Sequence, residues 1–128
     1  MMFLGCLLIV ISASSSAASD ILHHRFHESI FKNLNDLWWD PTFSWRNKYK
    51  RRSPYLGPKF FGSTTIFLFL TDASSMFNFI HINALISGLF FITIEMHNDI
   101  SIAIIFIMAL IHYKLMYIIF YSKVFKSL

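Results

Sequence analysis

The chain has 128 residues, of which 55% are hydrophobic, 18% aromatic and only 14% charged. Soluble domains carry about 25% charged residues, so this composition argues against a free cytosolic globule and points to lipid or to burial in an assembly. The length allows one domain, and the single cysteine, Cys6, excludes an internal disulfide and any Cys-based zinc site.

Residues 1–19 contain no charge. Two readings compete for them. A signal peptide would use the small residues Ser16-Ala17-Ala18 for cleavage, but the basic start such a peptide needs is missing. A retained transmembrane helix near 2–19 is favoured, with Cys6 as a plain apolar side chain.

Residues 20–40 read as an amphipathic helix. Leu22, Phe26, Ile30 and Leu34 recur every four residues, and His24, Glu28, Lys32 and Asp36 form a charged ladder at the same spacing. Asp20 stands where an N-cap would, and Asp40-Pro41 marks the stop. The pair Trp38-Trp39 suits the headgroup level of a bilayer, so this helix, near 21–38, is expected to lie on the membrane.

Residues 41–63 hold all three prolines and form a basic aromatic loop. Arg46, Lys48, Lys50, Arg51 and Arg52 are interleaved with Trp45 and Tyr49. Near an anionic surface each basic side chain contributes about 1 kcal/mol. A basic run beside long apolar segments is a membrane-surface feature, and nucleic acid is not the expected partner.

Residues 64–94 form an apolar stretch about 46 Å long as a helix, against a hydrocarbon core of ~30 Å. A span near 66–94 is therefore tilted, or broken near Thr71-Asp72. At 100° per residue Thr65, Asp72 and Asn83 fall within roughly 20° of one another, flanked by Ser75 and Ser87. Such a polar stripe should face protein and not lipid.

An acidic turn at 95–99 precedes the last span, 100–122, and Lys123 and Lys126 follow it. The positive-inside rule places the basic 20–63 segment and the C-terminus in the cytoplasm, with the N-terminus and the acidic turn outside. The expected fold is all-α: an integral membrane protein with three transmembrane helices and one interfacial amphipathic helix, in a single domain over 1–128.

Several motifs from residue 20 onward carry a resemblance. They include Phe26-His27, Ser29-Ile30-Phe31, Trp39-Asp40-Pro41, Ser44 to Lys50, Gly57 to Thr64 and Phe69 to Ala73. In these the chain resembles a family of small, uncharacterised bacterial integral membrane proteins. Ser74-Ser75 stand where that pattern has Trp-His. The resemblance implies a multi-pass protein of the inner, cytoplasmic membrane and brings no activity with it.

Asp72 is the most informative single residue. A carboxylate inside a span costs roughly 2.5–3.5 kcal/mol unless it is paired or wet. Counted from the cytoplasmic ends of their spans, Asp72 and Lys114 sit at matching depth, which predicts an intramembrane ion pair. His81 and His112 lie on different spans at mismatched depths, which counts against haem, and His23, His24 and His27 have no clear third metal ligand. No cofactor and no metal are expected. The chain carries no P-loop, glycine-rich dinucleotide turn, Gly-x-Ser-x-Gly or His-Glu-x-x-His. The favoured reading is a non-enzymatic accessory or scaffold subunit of a larger membrane complex, in contact with anionic headgroups and a protein partner. The alternative is a small membrane-embedded enzyme, or a proton- or lipid-handling protein, using Asp72 with nearby His27 and Ser75.

Overall fold

A computed structural model describes residues 2–95 and 102–126. The first element is one long helix, α1 (Met2–Arg25), ending on His23, His24 and Arg25. The Arg25 cation in the last turn suits the negative pole of the helix dipole. Two one-turn helices follow, α2 (Asp36–Trp39) and α3 (Pro41–Ser44). Asn35 caps the first by accepting from the Leu37 N–H. Asp40 caps the second, with Pro41 in the first turn, where no N–H is missed. Tight 3₁₀ turns carry the chain to α4 (Ala73–Glu95), and α5 (Ile102–Ile119) closes in a π turn, Phe120–Val124.

Three stretches are long and apolar enough to cross a membrane: Met2–Glu28, Ala73–Ile94 and Phe106–Val124, with mean hydropathy 1.8, 1.7 and 1.2. About 20 apolar residues suffice for a crossing. α1 is the most buried of the three and packs against both others, while α4 and α5 touch little. The architecture is thus an α1–α4 antiparallel pair with α5 packed mainly on α1 and meeting α4 where Ile9, Ile92 and Ala109 cluster and where the rings of His81 and Tyr113 lie 5.7 Å apart. No strand occurs among the described residues.

The expected amphipathic helix over 20–40 does not form. α1 takes residues 20–25, which places Asp20 in mid-helix and not at a cap. Ser29 then competes with helical bonding: its hydroxyl donates to the Phe26 carbonyl at 2.7 Å and accepts from the Phe31 N–H at 3.2 Å. This turn drives Phe26 and Phe31 inward, both buried. Phe31 stacks on Trp39 at 5.1 Å and also meets Phe77 and Phe125. Two buried Phe rings gain more than a helix lying flat on the surface would. The C-terminal segment is fastened here, the Ile30 N–H donating to the Phe125 carbonyl at 3.0 Å.

The second span is shorter than expected. Residues 59–72 are apolar yet fold as turns, opened by Gly62 at φ +75°, a conformation that side chains rarely adopt. The helix therefore starts at Ala73 and not near 66, which settles the tilt-or-break question in favour of a break at Asp72. The acidic turn at 95–99, apart from the backbone of Glu95, and the first two residues of the expected 100–122 span lie outside the described residues.

Candidate functional site

The polar groups of the bundle meet in three rungs between α1 and α4. Gly5, Ser12 and Ser19 are each seven apart on α1, and Ser74, His81 and Gly88 are each seven apart on α4. Seven residues is almost two helical turns, so each set lies on one face. Run antiparallel, they pair as Ser19 with Ser74, Ser12 with His81 and Gly5 with Gly88.

Each rung closes differently. Ser19 and Ser74 share a hydroxyl–hydroxyl bond of 3.0 Å, and His23 Nε2 lies 2.6 Å from the Ser74 oxygen. In the middle, the Ser12 hydroxyl donates to the His81 carbonyl at 3.0 Å, while His81 Nδ1 is 2.9 Å from Ser12 Oγ and 3.2 Å from the Ser12 carbonyl. Ser12 has one proton, and the carbonyl takes it. His81 Nδ1 therefore carries the hydrogen and donates to both Ser12 oxygens. At the glycine rung the backbones touch: a Cβ on Gly5 would stand 2.9 Å from the Gly88 carbonyl oxygen and 2.6 Å from Ile92 Cγ1. A small-residue face of this kind is how apolar helices approach closely.

The predicted stripe is thereby corrected. Thr65 lies in the turns before α4, and Asn83 is exposed, its amide donating to the Phe79 carbonyl of its own helix at 2.8 Å. Ser75 serves Asp72, and Ser87 is half-buried beside the packed face. The 100° reckoning ran through residues 64–72, which are not helical, so its phase did not carry into α4.

The Asp72–Lys114 ion pair is absent as well. Asp72 caps α4: its carboxylate accepts from the Ser75 N–H at 2.8 Å and from the Ser75 and Thr71 hydroxyls at 3.0 Å. Lys114 is exposed on α5 and makes no ion pair among the described residues. The matched depth depended on a span starting at Thr64, and that start does not exist. What α5 does offer α1 is Tyr117, whose hydroxyl donates to Asp20 at 2.7 Å, inside a stacked series of Tyr113, Tyr117 and Tyr121.

The residues expected at headgroups divide into two groups. Trp38 and Trp39 pack against the aromatic core, Trp39 within 6.1 Å of Phe77, so they fasten the loop to the bundle. Trp45, Arg46, Lys50, Arg51 and Arg52 are exposed, and Lys48 is half-buried. Asn47 holds their loop in place by donating to the Leu37 and Thr71 carbonyls. The Lys50 N–H to Gly57 carbonyl bond and the Lys59 N–H to Lys48 carbonyl bond close its base. Arg51 and Arg52 sit at φ +49° and +59°, a strained tip that this closure imposes. His27, proposed with Asp72 and Ser75 for an enzymatic role, is exposed and packs edge-on against Phe26.

Among the described residues no three His, Cys, Asp or Glu side chains gather to hold a metal ion. His112 buries its Nε2 without a hydrogen-bond partner. No family model, curated protein or solved structure matches the chain.

Proposed function

We propose that this chain is a multi-pass integral protein of a bacterial inner membrane and acts as a non-enzymatic accessory or scaffold subunit of a larger membrane complex. In this reading the basic 20–63 segment and the C-terminus are cytoplasmic, and the exposed Arg46, Lys50, Arg51 and Arg52 meet anionic headgroups. The resemblance noted above is part of the same proposal.

One observation carries the reading. Ile107, Ile111 and Ile118 are exposed along one face of α5, and Lys114 falls on that face at helical spacing with no ion pair among the described residues. A bare ammonium in hydrocarbon is costly, and a partner's carboxylate opposite it removes the cost. The polar groups within the bundle do not argue for a reaction centre, because Asp72, Ser12, Ser74 and His81 are already committed to one another or to a helix end.

The test is purification of the full chain in mild detergent. A stoichiometric partner that is lost on Lys114→Met supports the subunit reading. A monomer that behaves identically with and without Lys114 sinks it. An activity abolished by Asp72→Asn in a folded protein would favour the enzymatic alternative instead.

A further inference from the structure

A polar cavity of about 240 Å³ opens where the basic loop meets α2 and the chain entering α4. Arg52 and Lys59 both line it, although they are seven residues apart in sequence. The closure of the loop brings them together. The Lys50 N–H donates to the Gly57 carbonyl and the Lys59 N–H to the Lys48 carbonyl, with Tyr49 and Pro58 paired between them. Ser63, fully buried, fixes the same base by donating from its hydroxyl to the Lys48 carbonyl at 2.8 Å. Cations carried on a closed turn lose less freedom on binding than cations on an open chain.

The lining is rich in unanswered donors. None of the lining residues is acidic, and neither cation makes an ion pair among the described residues. Asn35 accepts the Leu37 N–H through Oδ1, which leaves its NH₂ group open, and the Trp38 indole N–H has no acceptor among the described residues. Such a set calls for an anion. A phosphate suits it, because the planar Arg fork takes two of its oxygens while Lys adds a point charge. The rim is apolar, with Leu37 and Leu70 42% and 55% exposed. Leu70 lies three residues before α4, so the cavity stands at the level where that span begins. A soluble anion gains nothing from exposed leucines, whereas the glycerol and first acyl carbons of a phospholipid do. Drug-sized molecules need about 300–1,000 Å³, so this smaller space takes a headgroup only.

We propose that this cavity seats one phosphate group, held by Arg52 and Lys59, and that the phosphate is the headgroup of a phospholipid. The inference rests on the headgroup contact proposed above and narrows it from a charged surface to a single stoichiometric seat.

The test uses the full chain in neutral detergent, where no anionic surface attracts the loop as a whole. Native mass spectrometry counts the phosphatidylglycerol bound per chain, with diacylglycerol and inorganic phosphate as companion probes. One saturating phosphatidylglycerol per chain is expected. Arg52→Gln with Lys59→Gln should weaken it about 100-fold, tenfold for each charge-assisted bond lost. Both side chains are exposed, so the backbone closure of the loop is untouched. Arg46→Gln with Lys50→Gln removes the same charge away from the cavity and should change binding by about 5-fold at most. Equal loss from the two double variants, or no saturating lipid on the parent, overturns the seat and leaves the wider headgroup contact standing. Diacylglycerol bound as tightly as phosphatidylglycerol overturns the phosphate; inorganic phosphate bound as tightly overturns the lipid source. The headgroup contact itself fails on a separate reading, trypsin cutting the loop equally fast in phosphatidylglycerol and phosphatidylcholine nanodiscs, and the seat fails with it.

Discussion

Gly5→Ala probes the closest approach in the molecule. The added Cβ would lie 2.6 Å from Ile92 Cγ1, 2.9 Å from the Gly88 carbonyl oxygen and 3.2 Å from the Ile92 nitrogen, where ordinary contact begins at 3.4 Å. Ile92 can turn away from the first contact, but the second is with backbone. Relieving it requires α1 and α4 to part by about 0.5 Å at this rung, the difference between 3.4 and 2.9 Å. Overpacking of this order costs about 1–3 kcal/mol. Alanine recovers up to about 1 kcal/mol through its better helix propensity. The net loss should be about 1–2 kcal/mol, read as a lowered unfolding midpoint in mixed detergent. Gly88→Ala is the internal comparison. Its closest contact would be 3.0 Å, to the Gly5 carbonyl oxygen, so a smaller shift suffices and the two terms nearly cancel. Ile92→Ala should rescue part of the Gly5→Ala defect by removing the 2.6 Å contact. A Gly5→Ala protein as stable as its parent would show that the two helices do not meet at this point, and the three-rung register would fall with it.

The other expectations are smaller. Ser12→Ala and His81→Phe should be non-additive by about 0.6 kcal/mol, the average for hydrogen bonds between membrane helices, and by no more than about 1.7 kcal/mol; strict additivity in a double-mutant cycle would remove the middle rung. Asp72→Ala should cost about 1 kcal/mol as a lost cap, with Asp72→Asn costing less. Combined with Lys114→Met its effect should add to within about 0.5 kcal/mol, whereas coupling above about 1 kcal/mol would mean the two charges meet after all. Asp40 is 2% exposed and accepts from both the N–H and the hydroxyl of Thr42. Asp40→Ala should therefore loosen the basic loop, seen as faster trypsin cleavage between Arg46 and Lys59 while the long helices stay protected; unchanged cleavage would refute the cap's role.

Hydrophobic run length alone makes the three long helices legible, because twenty apolar residues have few other uses. It does not separate a helix from apolar turns. Residues 64–72 are as hydrophobic as α4 itself, and only Gly62 at positive φ hints that the chain reverses there. Because the helix starts at Ala73, depths counted from Thr64 do not hold, and neither the stripe through Thr65 nor the pairing of Asp72 with Lys114 survives. The four-residue recurrence of Leu22, Phe26, Ile30 and Leu34 is real, but Ser29 and the aromatic core at Phe31 and Trp39 outweigh it. The α1–α4 face was open to discovery in the sequence. Gly5-Ser12-Ser19 and Ser74-His81-Gly88 are two sevenfold series of small or hydrogen-bonding residues, ordered so that an antiparallel match puts glycine opposite glycine.

The middle rung also bears on the order in which the protein is made. Ser12 and His81 are 69 residues apart, and α1 is complete long before its counterpart leaves the ribosome. During that interval the face bearing Ser12 and Ser19 has no bonding partner, and in the bilayer proposed above it would be an unfavourable guest. A chain built this way is expected to hold its first helix at the insertion machinery until α4 arrives, then release both as a hairpin. Moving α4 further downstream with a longer loop would prolong that wait, even though the finished bundle would be unchanged.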